Sequence, residues 1–328
     1  MHLYKNLLLS LTILLSALSI NAQHISFTDS WEKAGFNLTK ETTEGIEIIY
    51  SVNEFMMDDV EVKGNAMKAV HLPGNLIPNN EGAPDLAGTS QYIAVPQGAK
   101  AKLNVISYKT ETYQNVEVAP AARIPLDTDD SPAVYNKDES IYSLDAFYPA
   151  EPFLLSEQTT IRGVDAVLLG ITPFQYNPVS KELIVYRDIK LEVNFDGGTK
   201  QYGDDRYRSR WFDPILQSHL INYSSLPAID YGSRAGKMVD GYEYVIITLD
   251  DPVFLAWADT LKNYRNMQGI STGIFTVDEI GGNNVNTIES WIDNAYNTWT
   301  TPPIAILIMS DYGTGANGIL SPIWDYYC

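Results

Sequence analysis

The spacing of apolar residues changes once along the chain. Across residues 23–196, apolar and polar positions alternate with period two, the mark of half-buried strands. Residues 45–52 (GIEIIYSV) form a β-rich run and residues 102–108 (KLNVISY) alternate. Residues 164–174 and 183–195 flank a short turn, Asn177-Pro178-Val179-Ser180. In the second run, Ile189, Leu191, Val193 and Phe195 share one face and Lys190, Glu192 and Asn194 the other, so one face is wet. Turn signals recur at Leu72-Pro73-Gly74, Gly82-Ala83-Pro84, Val95-Pro96-Gln97-Gly98 and Asp196-Gly197-Gly198. Many short strands between Pro/Gly turns predict a β-sandwich. Residues 199–210 (TKQYGDDRYRSR) read as a charged loop. Residues 227–241 (PAIDYGSRAGKMVDG) are small, polar and flexible, and mark a domain boundary.

Beyond it the period becomes helical between strands. Residues 243–249 (EYVIITL) are a continuous apolar strand, as expected when both faces are covered. Asp250-Asp251-Pro252 supplies an acidic cap and a first-turn proline. Phe254, Trp257, Ala258, Leu261 and Tyr264 follow at helical spacing, and Gly269 ends the helix. Residues 271–277 form a second strand. Asn286 or Thr287 opens a second helix with the apolar stripe Ile288, Trp291, Ile292, Ala295, Tyr296 and Trp299. Pro302-Pro303 stops it, and residues 304–309 (IAILIM) form a third buried strand. The order β-α-β-α-β predicts parallel strands with right-handed crossovers. Three strands are too few for a finished doubly wound sheet, so the expectation is a truncated fragment or an incomplete gene model. The expected fold class is α+β multidomain: an all-β sandwich over residues 23–226, a linker over 227–241, and the first part of an α/β parallel-sheet domain over 242–328.

Residues 1–22 read as a secretory signal peptide. Lys5 is followed by an apolar stretch over 7–18 and by Ala22, with Gln23 as the new N-terminus. That stretch is too short for a bilayer core, which needs roughly 20 residues, and no later segment approaches that length. No cysteine follows it, which excludes a lipoprotein anchor. The expected location is secreted, extracellular or cell-surface. Lys plus Arg is 22 and Asp plus Glu is 41, giving 22 − 41 = −19. That charge repels phosphate and excludes nucleic acid as a partner. The single cysteine, Cys328, rules out an internal disulfide or a thiolate metal site within these residues. The four histidines, His2, His24, His71 and His219, argue against a His-rich metal centre.

In an open parallel sheet, sites form beyond the carboxyl ends of the strands. The polar residues there are Asp250 and Asp251, Asp278 and Glu279, and Ser310 and Asp311. The first two pairs also read as helix caps. Asp311 is the best polar candidate, with a turn-forming role as the other reading. Gly313-Thr314-Gly315-Ala316-Asn317-Gly318 matches G-x-G-x-x-G, but it follows the third strand and Pro322 interrupts what comes next, so dinucleotide binding is set aside. No histidine follows residue 219, and neither G-x-S-x-G nor H-E-x-x-H occurs. Cys328 has no base after it. Asp127-Thr128-Asp129-Asp130-Ser131 lacks the Gly and closing Glu of a calcium loop and reads as solvated. Trp211, Phe212 and Tyr223 flank Asp213-Pro214, either docking one domain on the other or filling the sandwich core.

Several strings carry a family likeness. They are Gly82-Ala83-Pro84-Asp85-Leu86, Tyr92-Ile93-Ala94-Val95-Pro96, Gly98, residues 102–108, Ala119-Pro120, Tyr148-Pro149-Ala150-Glu151-Pro152, Arg162-Gly163 and Pro173-Phe174-Gln175-Tyr176-Asn177-Pro178 leading into 182–195. In this order and spacing they resemble the propeptide of gingipain-type cysteine peptidase precursors. Residues 243–249, Gln268-Gly269, Asn294-Ala295-Tyr296, Trp299, Pro302-Pro303, the strand to Asp311 and Asp325-Tyr326-Tyr327 resemble the start of the family's catalytic domain. Ser310-Asp311 stands where the family usually has Gly-Asp.

The resemblance implies a zymogen of a secreted cysteine endopeptidase. Its β-sandwich propeptide covers the site of a caspase-like α/β domain and acts as an intramolecular blocker. A downstream Cys thiolate attacks the scissile carbonyl, with His as general acid/base. Neither is matched here, and Cys328 does not fall at the nucleophile position, so the 328-residue chain alone is expected to be inactive. Substrates are proteins or peptides, and their specificity is not legible. Cleavage in 227–241 releases the block, with Arg234 and Lys237 as cut sites and Arg206, Arg208 and Arg210 as a second option. No cofactor is evident; calcium enters through the resemblance alone, since some members bind it. The alternative is a non-catalytic secreted or surface binding or adhesion protein with the same domains.

Overall fold

The period-two stretch folds into short antiparallel strands. In a computed structural model, the described residues are 23–75, 80–123, 128, 132–231, 240–312 and 318–319. The expected signal segment lies outside them. The strands are β1 (Gln23–Ser26), β2 (Gly35–Thr42), β3 (Gly45–Ser51), β4 (Glu54–Val62), β5 (Asn65–His71), β6 (Thr89–Ala94) and β7 (Ala99–Tyr113). After the single turn α1 (Glu139–Tyr142) come β8 (Phe153–Leu155), β9 (Thr159–Ile161), β10 (Val164–Ile171), β11 (Phe174–Asn177) and β12 (Glu182–Gly197). They pair as three sheets: β1-β4-β5; β6-β10-β8 with β9 on β10; and β11-β12-β3-β2 with β7 along β12.

The alternation predicted for β12 is present. Leu183, Val185, Ile189, Leu191, Val193 and Phe195 are buried. Ile189, Leu191 and Val193 lie opposite Tyr50, Ile48 and Ile46 of β3, which are buried too. Phe55 of β4 meets Phe174 of β11 at 5.5 Å and Tyr113 of β7 at 5.7 Å, packing the first sheet on the third. Phe153 of β8 meets Tyr186 of β12 at 5.3 Å, packing the second there as well. The run over 164–174 is two strands in two sheets. Thr172-Pro173 divides them, and a proline, which cannot donate to a ladder, suits the corner where the chain changes sheets.

An ionic group is buried in this sandwich. The β7–β12 register shifts between Arg187 and Lys190, and Asp188 takes a positive φ of 48°. Asp188 is buried. It accepts from Trp31 N (2.9 Å) and Ser51 Oγ (2.9 Å), and Lys109 Nζ lies 2.9 Å away. Arg187 pairs with Asp29 (2.7 Å) and Glu111 (3.0 Å) and lies 4.0 Å over the Phe27 ring. Residues 27–31 are thereby tied to the middle of β12.

The chain clusters into two units. One comprises Met1–Thr159, Asp165–Gln201 and Leu220–Ser225; the other comprises Thr160–Val164, Tyr202–His219 and Leu226–Cys328. The second contains α2 (Asp213–His219), β13 (Tyr244–Thr248), α3 (Pro252–Met267), β14 (Thr272–Thr276), α4 (Val285–Thr298), β15 (Ala305–Met309), β16 (Asp311–Tyr312) and β17 (Gly318–Ile319). β14-β13-β15 form a parallel sheet, with Tyr244 opposite both Thr272 and Ala305.

Asp251 caps α3, accepting from Val253 N (2.9 Å) and Phe254 N (3.3 Å), with Pro252 in the first turn. Gly269, at φ 76°, closes its end: Gly269 N donates to Asn266 O and Ile270 N to Arg265 O. α4 starts earlier than the sequence suggests, because Asn284 is the cap and accepts from Thr287 N at 2.9 Å. Its stripe packs Ile288, Trp291, Ile292 and Trp299 with Val245, Ile247, Phe275 and Ile306.

Two expectations are corrected. Trp257 and Tyr264 are 66% and 52% exposed. The inward seam of α3 runs through Phe254, Ala258 and Leu261, and these aromatics sit roughly 70–90° round the helix from it. β15 is less covered than a buried strand would be: among the described residues it pairs in the sheet with β13 alone, and Ile308 is 40% exposed.

Burial pushes the Asp188 carboxyl up, but Lys109, Trp31 and Ser51 together outweigh burial and hold it below its ordinary value. A depressed carboxylate stabilises the fold above its unfolded pKa of about 3.9, and that stability is lost as pH falls through the lower folded value. Asp188→Asn is expected to cost about 3 kcal/mol at neutral pH. It also flattens the acid limb of the stability curve. Urea unfolding from about pH 2 to pH 7 measures both; a variant curve parallel to the parent's would refute the assignment.

Candidate functional site

The carboxyl edge of the parallel sheet gathers three loops. After β13, Asp251 is committed to the α3 cap while Asp250 is exposed. After β14, Glu279 Oε2 accepts from Thr276 N (2.8 Å) and Thr276 Oγ1 accepts from Glu279 N (3.2 Å), a reciprocal closure of the turn. Asp278 beside it is exposed. After β15, Ser310 Oγ donates to Asp311 O (2.9 Å) and accepts from Ile319 N (3.1 Å). β16 and β17 pair in parallel, Asp311 opposite Gly318, and Asn283 Nδ2 donates to Gly318 O (2.9 Å). Buried Thr248 ties the edge together by donating to Met309 O (3.1 Å).

The geometry separates the candidates. Asp311 presents an exposed carboxylate on a short paired strand, whereas the Ser310 hydroxyl already makes two hydrogen bonds. Asp250, Asp278 and Asp311 make this edge acidic. It suits holding and orienting a polar backbone rather than nucleophilic attack. His24 and His71 belong to the β-unit, where they pair with Glu54 and Asp58. Most of the Gly313–Gly318 motif, as well as Cys328, Arg234 and Lys237, lies outside the described residues, and so does the Asp127–Ser131 string apart from Thr128. Among the described residues no cluster of three His, Asp or Glu could hold a metal ion.

The loop arginines are all engaged. Arg208 is buried and forks onto Asp213 (2.8 and 2.7 Å), and it also donates to Pro227 O (2.9 Å). Arg206 donates to Tyr296 O and Trp299 O, and Arg210 to Gly269 O. Phe212 lies under the Arg162 guanidinium at 4.2 Å, and Trp211 Nε1 donates to Glu243 Oε1 (3.2 Å). These aromatics therefore pack in the α/β unit, while Tyr223 belongs to the β-unit. Burial lowers the Arg162 pKa from its ordinary value, with Tyr296 acting in the opposite sense. Sequence reasoning did not find the seat of Arg162; the Arg-Gly pair between two strand-like runs was its only local signal.

The family model for the C25 propeptide matches residues 37–227, and that for peptidase family C25 matches residues 239–315. The chain belongs to peptidase family C25. It is a gingipain-type peptidase precursor, with a β-sandwich propeptide followed by the start of a caspase-like α/β domain. It is 31% identical to gingipain R1 of Porphyromonas gingivalis over 281 residues, 79% of this chain and 26% of that protein. It is 27% identical to Lys-gingipain of the same organism over 188 residues, 55% of this chain and 11% of that protein. The chain thus spans about a quarter or less of these relatives' length. A solved structure, the complex of Porphyromonas gingivalis RgpB pro- and mature domains, matches in fold with a TM-score of 0.51 and 22% identity, covering 59% of this chain and all of that one.

Two substitutions distinguish a cap from a free edge residue in this C25 domain. Asp251→Ala is expected to cost about 1 kcal/mol of stability. Asp311→Ala is expected to stay within about 0.5 kcal/mol of the parent. Denaturant melts of the α/β unit followed by tryptophan fluorescence provide the comparison; equal losses would contradict it.

Proposed function

We propose that these residues are the propeptide and the first part of the catalytic domain of a secreted cysteine-type endopeptidase. One observation carries the reading: a C25 propeptide match at 37–227 is followed in the same chain by a C25 peptidase match at 239–315. The nucleophilic Cys and its His partner belong to parts of the catalytic domain not matched here. The Cys thiolate adds to the scissile carbonyl, and the His returns the proton to the leaving amine. Ser310 and Asp311 contribute to the edge along which substrate lies. Proteins or peptides are the substrates, and the propeptide is the intramolecular blocker. Residues 1–22 direct export, and among the described residues no helix is long and apolar enough to cross a membrane.

Activation is a cut in 227–241, at Arg234 or Lys237. The second option is the weaker one. A protease needs an exposed, extended segment, and Arg206, Arg208 and Arg210 are held by carbonyl and carboxylate partners, which counts against the second option. N-terminal sequencing of the processed full-length product is expected to place the cut in 227–241. The double variant Arg234→Ala/Lys237→Ala is expected to mature more slowly. The processed product should hydrolyse peptides and lose that activity on thiol alkylation; hydrolysis indifferent to alkylation, or none after processing, would sink the proposal. The 328-residue chain should show no hydrolysis, and activity abolished by Cys328→Ala would overturn the placement of the nucleophile elsewhere. In the full-length enzyme, Asp311→Asn should lower kcat/KM by about tenfold. An unchanged value would remove Asp311 from the substrate edge.

A further inference from the structure

α3 and α4 each follow one parallel strand and lead into the next. Both helices therefore end at the amino edge of the sheet, opposite the carboxyl edge. A helix end presents carbonyls without intrahelical partners and the negative pole of its dipole. Three arginines gather at this edge, and all come from the propeptide-matching segment. Arg206 donates to Tyr296 O and Trp299 O, 3.1 Å each, at the end of α4. Arg210 donates to Gly269 O, just past α3, and lies 3.6 Å from Glu243, which precedes β13. Arg162 reaches Pro303 O (3.5 Å), two residues before β15, and donates from Nε to Tyr207 O (3.1 Å). Its guanidinium lies 4.2 Å from the Phe212 ring and 5.4 Å from that of Tyr296. Tyr207 packs on Tyr296 at 4.9 Å and its hydroxyl donates to Asn297 Oδ1 (3.3 Å).

The turn that delivers Arg162 is specialised. Arg162 and Gly163 both have positive φ, 49° and 77°, as a tight hairpin turn requires. A Cβ on Gly163 would sit 2.8 Å from the Tyr207 ring, and Gly163 O accepts from Asp204 N (2.8 Å). The Arg162 turn and the 204–207 turn are therefore built against each other.

We propose that Arg162, Arg206 and Arg210 form a clamp by which the propeptide segment grips the peptidase domain at the sheet's amino edge, away from the reaction edge, and that this grip outlasts a cut in 227–241. Its two sides, residues 162–163 with 202–212 and residues 243–303, both lie inside the α/β unit, and its contacts join residues on either side of 227–241 without using any residue of that segment. Cutting alone then leaves the fragments together, and release needs a second event that breaks the clamp or digests the segment. The grip follows from the contacts; only its meaning for activation rests on the protease reading.

The test replaces residues 232–239 with the recognition site of a sequence-specific protease in the full chain. After complete cutting, the parent's fragments are expected to co-elute on gel filtration. In Arg162→Ala/Arg206→Ala the fragments are expected to separate, with the dissociation constant raised about thirtyfold or more. Arg162→Lys/Arg206→Lys keeps the charge but loses the flat fork, and should weaken retention by a smaller factor. It carries the test if the alanine variant fails to fold. Parent fragments that separate on cutting, or arginine variants retained as tightly as the parent, would overturn the clamp. None of these readouts uses peptidase activity, so absent hydrolysis would count against the proposed function and leave this result intact.

Discussion

The constraint on which the α/β unit depends is the supply of donors to its helix ends. α3 meets most of the need locally, because Gly269 turns the chain back and the amides of 269 and 270 return to Asn266 and Arg265. α4 has no such return. Trp299 N donates to Ala295 O, Thr301 N goes to Asp240 O, and Pro302 and Pro303 carry no N–H. The carbonyls of Tyr296 and Trp299 must find donors elsewhere, and Arg206 provides them. A burial-level need at residues 296–299 is thus met from some ninety positions upstream, which explains why residues 202–219 cluster with the α/β fold rather than with the strands that precede them.

On the proposal above, blocking a reaction edge and gripping the opposite edge make different demands. A blocker at a reaction edge has to fit whatever that edge is built to bind. A grip at the opposite edge has no such requirement. It can use carbonyls that every copy of the fold exposes, and aromatic faces such as Phe212 and Tyr296. Strength of retention and mode of inhibition can then change independently, since they rest on different residues.

Much of the fold was legible because local chemistry and packing agree. The faces of β12, the Asp251-Pro252 start of α3, the Gly269 stop and the α4 stripe all follow from spacing and caps. The failures have specific causes. Trp257 and Tyr264 fit a helical period, but a period of 3.6 does not say how wide the covered face is. The 304–309 run is apolar enough for a central strand, and among the described residues it pairs on one side only, with β13. The buried charges at Arg187 and Asp188 break the alternation of β12, and a bulge with a positive φ absorbs the break. The loop TKQYGDDRYRSR looks solvated because charge usually means water. Arg206 and Arg210 instead meet carbonyls at helix ends, partners that leave no mark in the local sequence, and Arg208 is buried against the Asp213 carboxylate. At the carboxyl edge, Ser310 and Asp311 were identified by position alone, and their different commitments to hydrogen bonding emerged only from the paired β16 and β17.

The two ionic centres also differ in what acid does to them. Asp188 holds residues 27–31 to the sandwich through a carboxylate, and protonation removes the charge that Lys109 is paired with. The helix-end contacts of Arg206 and Arg162 join a cation that stays protonated to backbone carbonyls, which do not titrate in this range. Arg210 adds a pair with the Glu243 carboxylate at 3.6 Å, the longest of the set. Acid therefore acts on the Asp188 centre through its carboxylate, while the carbonyl contacts of Arg162 and Arg206 have no carboxylate to protonate. An arginine on a carbonyl is also less sensitive to salt than an exposed ion pair, because its partner carries no net charge to screen. The same choice of donor that satisfies α4 thus joins the two segments through partners that carry no net charge.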